Sequence, residues 1–229
     1  MKKLLKILVE ILLAVLAVVL VWLIYRSVMK PVNFNKEKAV REAVAIQRLK
    51  DIRDLQVAFK GVNGRYTESV DSLVMFYNDG KMQVVMQVGS QDDSVAVANT
   101  AAIRKKNRKI TNEQLLALYQ QGQNLVFSIA TPIAVKDTLF NHRSDFIADS
   151  LVYIPFSGGQ KVEMEAIVKK VSGVDVPLFE AKMPYRALLK GMDNQLRINL
   201  DAERENQNKY VGLQVGSISA PNNNAGNWE

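Results

Sequence analysis

From Leu4 to Tyr25 the chain reads LLKILVEILLAVLAVVLVWLIY, and between Ile11 and Tyr25 no charge interrupts it. No other stretch constrains the fold so strongly. A helix needs about 20 residues to cross a bilayer core, and this run has that length. Trp22 and Tyr25 lie at its far end, where amphipathic rings favour the hydrocarbon–water boundary. Lys2, Lys3 and Lys6 lie at the near end, where long aliphatic stems let an ammonium group reach water. A cleaved secretory leader has a shorter apolar region, about 7–15 residues, and finishes at a small-x-small site. Here the run exits through Tyr25-Arg26-Ser27-Val28-Met29. Residues 1–30 therefore read as an uncleaved membrane anchor, with membrane lipid as the first partner. Glu10 stands out in this run, because an ionisable group inside an apolar span is costly unless paired or near the headgroups. It lies one turn after Lys6, so an i,i+4 pair is one reading. The other is an in-membrane contact with a cation on a partner.

The net charge of +7 follows partly from the anchor. Five of the 30 basic residues and one of the 23 acidic ones fall in residues 1–30, leaving a net +3 on the remainder. No basic patch interleaved with aromatics is present, and no nucleic-acid partner is expected. The dense cluster Arg104-Lys105-Lys106-Asn107-Arg108-Lys109 reads as a solvated helix face or loop. The chain has no cysteine and one histidine, His142, which excludes disulfides, thiolate metal sites, a cysteine nucleophile and a histidine-rich metal site.

After Pro31, apolar residues fall at Ala45, Leu49, Ile52, Leu55, Phe59 and Val62, at spacings of three and four. This predicts an amphipathic helix from about Asn35, its N-cap, to about Lys60, with Arg48, Lys50, Asp51, Arg53, Asp54 and Lys60 on the other faces. Pro31 predicts a kink or short break after the anchor. Gly61 or Gly64 ends the helix, since glycine takes a left-handed backbone cheaply. Tyr66 folds back onto the apolar stripe, and Thr67 or Ser69 caps a short helix bearing Val70, Leu73, Val74 and Phe76. Residues 31–80 form this second unit.

An apolar helix with an early glutamate, a long amphipathic helix and then NGRYTESVDSL together resemble the N-terminal half of type IV pilins and type II secretion pseudopilins. Gly64, Tyr66, Ser69 and Leu73 carry the Gly-x-Tyr and leucine-bearing turn, and Glu10 takes the place of the family's glutamate. The resemblance covers about the first third of the chain. It implies a cytoplasmic N-terminus, with the bulk of the chain outside the bacterial inner membrane. The basic residues flanking the run, with Arg26, Lys30, Lys36, Lys38 and Arg41 following it, do not favour that orientation by count. The chain also departs from the pattern: the family is processed after a glycine five residues before the glutamate, where Leu5-Lys6 stands here.

Residues 81–220 read as a mainly antiparallel sheet beside short helices, an α+β fold. Lys81–Ser90 predicts a strand ending at Gly89, residues 92–109 a loop plus helix, and Thr111–Gln114 a capping box opening a helix to about Gln121. NLVFSIATPIAV, DSLVYIPF and QKVEMEAIVKKV follow as strands, the last with Val162, Met164, Ala166 and Val168 on one face. Ser172-Gly173 turns the chain into VDVPLFEAKMPY, where Pro177 predicts an edge or bulge. YRALLKGM predicts a short helix, and NQLRINLDAE and KYVGLQVGSI two further strands. The asparagine-rich tail, residues 221–229, is either mobile or anchored by Trp228 in a groove or on a partner.

No catalytic constellation emerges. Ser157-Gly158-Gly159 lacks the surroundings of a nucleophile elbow and reads as a hairpin turn. His142 with Arg143 and Asp145 means little without geometry. Asp92-Asp93 lacks calcium-loop spacing, Glu163 and Glu165 share one strand face, and no phosphate-binding glycine loop occurs. The expectation is a non-enzymatic, cofactor-free, single-pass subunit of a bacterial envelope assembly, pseudopilin-like, with the bulk periplasmic. It would meet other envelope-assembly proteins or, as a homo-oligomer, further copies of itself. Two alternatives stand beside it: a bitopic inner-membrane scaffold that does not polymerise, and a membrane-tethered cell-wall or lipid enzyme.

Overall fold

The computed structural model describes the backbone from Lys2 to Glu229 and the side chains from Glu10 onward. The fold is α+β. Helix α1 (Lys2–Asn63) holds 62 residues, about 93 Å at 1.5 Å per residue. Pro31 lies inside it, so the expected break is absent and Asn35 is an interior residue rather than a cap. Proline removes a backbone donor and crowds the preceding turn, but tertiary ties flank it here. Lys30 pairs with Asp193 at 2.8 Å on one side, and the Phe34 ring is buried on the other.

The two halves of α1 meet opposite environments. Large apolar side chains from Ile11 to Tyr25 are exposed throughout. Farther along, Ala45, Leu49, Ile52 and Leu55 are wholly buried, as their spacing predicts. Phe59 is half-buried and Val62 exposed, so the stripe fades toward the helix end. The buried stretch packs against α2 (Val70–Asp79) and against strands of a three-stranded sheet.

That sheet has the order β3-β4-β5, antiparallel throughout, where β3 is Glu163–Val171, β4 is Val174–Pro184 and β5 is Gly212–Gly216. Ser172 and Gly173 take positive φ of 51° and 86°, making the two-residue hairpin turn whose twist suits flanking strands. Pro177 pairs with Val168 of β3, whereas β5 reaches β4 only from Glu180 on. The proline's missing N–H therefore falls where β4 is an edge. Phe179, Ala181 and Met183 of β4 are fully buried and form the floor of the core with the α1 stripe.

Between α2 and this sheet lies an arm. Strands β1 (Lys81–Val88) and β2 (Phe127–Ala134) pair antiparallel as a two-stranded ribbon. Their connection carries α3 (Ser94–Lys106) and α4 (Asn112–Gln120). The capping box at Thr111 and Gln114 is formed as expected. Leu115, Leu125, Phe127 and Ile129 close a small core of their own. The chain then runs through α5 (Val135–Thr138), and α6 (Tyr185–Leu188) follows β4.

Two expected strands are something else. DSLVYIPF forms a 3-10 turn over Ala148–Val152, and only Tyr153 makes a bridge, to Lys161. Leu151, Val152 and Ile154 enter the core there instead of extending a ladder. NQLRINLDAE is helix α7 (Asn194–Asn206), opened by Asp193, whose carboxylate accepts from the Leu196 N–H at 3.0 Å. Leu196, Ile198 and Leu200 fit a strand's period of two. Leu196 and Leu200 also stand four apart, and both pack on the core while Ile198 stays exposed.

Candidate interaction surfaces

The turn after α1 is built around a residue outside the apolar stripe. α1 runs on to Asn63, so Gly61 is helical and takes no part in the stop. The stop is Gly64, at φ +73°, whose N–H donates to the Lys60 carbonyl at 2.8 Å. Gln56 is fully buried, and its amide brackets Thr67: Nε2 donates to the Thr67 carbonyl at 2.6 Å and Oε1 accepts from the Thr67 N–H at 3.1 Å. This one side chain pins the returning chain to the helix and satisfies both backbone groups of the half-buried Thr67. Tyr66 folds back as expected. Its ring lies 4.8 Å from that of Phe179, with the Lys60 ammonium 4.9 Å from its centre. Ser69 caps α2 through the Ser72 N–H, and Thr67 Oγ1 accepts from the Ser69 N–H.

Polar clamps fasten α1 to the domain along its length. Lys30 reaches Asp193, and that contact holds the Asp193 carboxyl below its ordinary range. The Arg41 guanidinium donates to the carbonyls of Leu188 (3.2 Å) and Lys190 (2.9 Å). The buried Tyr185 hydroxyl donates to Glu42 and accepts from Arg204 at 2.9 Å. Burial first, then the Glu42 carboxylate, pushes the Tyr185 phenol far up. Asp51, expected on a wet face, is buried and meets Arg143 at 2.6 Å and Gln47 at 2.9 Å. The Asp51 hydrogen bond raises the Arg143 guanidinium. The pairs that join α1 to the rest of the domain are separated by 92 to 163 residues, which hides them from any local reading.

Trp228 anchors the tail, and on its own domain. Its ring packs against the main core. Gly226 bridges Val215 of β5, and Asn227 joins Gln214 and Gly212 through backbone and side-chain bonds. Glu229 pairs with Arg53 at 2.8 Å, which draws the Glu229 carboxyl below its usual range. Asn223 and Asn224 take left-handed φ of 54° and 58°, a region asparagine tolerates. The Asn224 amide then donates to the Tyr66 hydroxyl at 3.0 Å. Tail and helix stop are thus parts of one structure.

The remaining candidates are scattered. Glu10 is exposed on α1; its proposed pair with Lys6 lies outside the described side chains. His142 is exposed, while Arg143 beside it is committed to Asp51 and to Asp145 at 3.8 Å. Asp93 caps α3, and hydrogen bonds from Asn124 and then from the Ala96 N–H lower its carboxyl. Glu163 and Glu165 are exposed on β3. Ser157 is buried and accepts from the Gln160 N–H, closing the turn between Tyr153 and Lys161 rather than a hairpin of two strands. Among the described residues no three His, Asp or Glu side chains gather as metal ligands. No family model matches the chain, and neither curated proteins nor solved structures yield a match.

Proposed function

We propose that this chain is a single-pass, membrane-anchored structural or interaction subunit of a bacterial envelope assembly. In this reading the start of α1 is held in lipid and its continuation is the spine of a domain that meets partners outside the inner membrane. One observation carries it: α1 is unbroken, bare of protein contacts from Ile11 to Tyr25, and wholly buried at Ala45, Leu49, Ile52 and Leu55. Bare leucine, isoleucine and valine side chains in such number need a non-aqueous partner, since burying each is worth about 1.5–3 kcal/mol. A helix at the centre of a water-soluble core would instead be covered along that stretch. The pseudopilin resemblance agrees with a helix that is membrane-bound first and domain-packed later.

A periplasm-active reporter fused after Glu229 tests the topology, with activity expected. Activity only from a cytoplasm-specific reporter would overturn the envelope assignment. A second reading, a scaffold that does not polymerise, is favoured by Leu5-Lys6 standing at the processing position. Crosslinking in membranes separates the two: ladders of many copies mark a filament subunit, and a dimer or heteromer marks a scaffold.

A further inference from the structure

Two rings that the fold leaves half open lie beside α1. Tyr153 and Phe156 are 46% and 48% exposed, while Ile154 and Pro155 between them are buried. The Arg41 guanidinium lies 4.9 Å from the centre of the Phe156 ring, and Arg48, farther along α1, donates to the Tyr153 carbonyl. This segment therefore runs alongside the helix, with Val44 between the two contacts. Val44 and Val40, one turn earlier, are exposed. Val44 opens onto a cleft of about 430 Å³ that Ile147, itself 64% exposed, also lines. Val40, Val44, Ile147, Tyr153 and Phe156 thus form one apolar patch.

Phe156 is displayed there under strain. Its φ is +61°, a left-handed backbone that a bulky side chain disfavours. Strain of this kind gathers at binding and switch sites. Lipid does not reach the patch, since Val40 and Val44 stand 15 and 19 residues past Tyr25, about 22–29 Å along the helix axis. The two guanidinium groups beside the rings are already engaged: Arg41 meets Glu37 and two backbone carbonyls, and Arg48 meets the Tyr153 carbonyl. Such a surface can meet its own copy without like charges opposing each other at its centre. Anchored copies all stand the same way up, so the patch recurs at one height on neighbours. Roughly 100 Å² open on each of these side chains comes, over two copies, to about 1,000 Å², where specific interfaces begin.

We propose that the patch around Phe156 pairs two copies of this chain about a two-fold axis parallel to α1. The pairing rests on the anchoring reading above, which orients both copies alike. A contact of this kind closes at two copies, as expected of a scaffold that does not polymerise.

The chain has no cysteine, so single sites can be crosslinked cleanly. Membranes holding full-length Val44→Cys or, as a control, Val168→Cys at an exposed site on β3 are treated with a short bis-maleimide. The expected result is a band at twice the chain mass for Val44→Cys and none for Val168→Cys. Adding Phe156→Gly should weaken that band about tenfold, as loss of a central aromatic anchor does. Its Tm, in detergent dilute enough to keep the chain monomeric, should stay level or rise, because glycine suits the left-handed backbone. A band that survives Phe156→Gly would overturn the proposal. So would a band at another mass, which would give the patch to a different protein. If Tm falls, the ring is structural, and Val40→Gln at an exposed helix site decides: loss of the band supports the pairing, and an intact band overturns it. Protein in the membrane fraction without a Val44→Cys band would remove the pairing and leave the anchor. Protein missing from that fraction would remove the anchor, and the pairing with it.

Discussion

Gly61 and Gly64 look equivalent in sequence and differ in what the backbone asks of them. Gly61 sits inside α1 with open space where a Cβ would stand. Alanine there should stabilise the protein by about 0.5–1 kcal/mol, because glycine in a helix interior wastes conformational entropy. Gly64 also has open space, but its φ of +73° disfavours a Cβ, and Gly64→Ala should destabilise by about 1–2 kcal/mol. Thermal unfolding of the two variants in the same detergent should therefore move Tm in opposite directions. A shared sign would mean that the helix ends elsewhere. Glu229 supports a prediction in pH. Arg53 depresses its carboxyl in the folded state, so the contact contributes above the unfolded value, about 4.3, and is lost as pH falls through the lower folded value. With Trp22→Phe leaving Trp228 as the sole tryptophan, emission should shift red on acidification below about pH 4 as the tail loosens. Glu229→Gln should show the loosened spectrum already at neutral pH. A spectrum identical to the parent at every pH would detach Glu229 from tail docking.

At the scale of elements, the tail behaves as an extra edge to the sheet. A Cβ on Gly226 would lie 2.3 Å from the Trp228 ring, so Gly226→Ala must displace the ring or the β5 bridge. A cost of about 1–3 kcal/mol is expected, together with faster amide exchange in β5 and the tail than in β3. Unchanged β5 protection would show that the tail is not structurally joined to the sheet. The elements also show what the sequence could disclose. The α1 stripe, the Ser172-Gly173 turn, the Thr111 capping box and the β3 alternation as far as Ala166 were legible because each is written in neighbouring residues; Val168, expected on the buried face, is exposed where β3 runs out past the core. NQLRINLDAE was not, since Leu196 and Leu200 satisfy both a period of two and a spacing of four, and the choice fell to the Asp193 cap. DSLVYIPF misled because an apolar run suits a core plug as well as a strand. Pro31 misled because a local rule met clamps from residues far along the chain. The same distance explains the candidate surfaces: Tyr66 and Trp228 were visible as odd residues near turns. Gln56, Asp51 and Lys30 acquire their roles only from Thr67, Arg143 and Asp193.

For the whole molecule, one helix meets two environments. Its first part exposes a run of aliphatic side chains long and apolar enough to cross a membrane, and its later part supplies the wall on which α2, the sheet and the tail are assembled. The clamps at Lys30, Arg41, Glu42 and Asp51 join the two regimes, so the domain's position is tied to the apolar segment without a flexible linker. Reactivity of single cysteines toward a membrane-impermeant maleimide, in intact vesicles bearing the full-length protein, tests this most directly. Val18→Cys should stay unlabelled until detergent is added, while Arg65→Cys on outward-facing molecules reacts at once. Equal labelling of Val18→Cys and Arg65→Cys before detergent would place the apolar half of α1 in water and contradict the account.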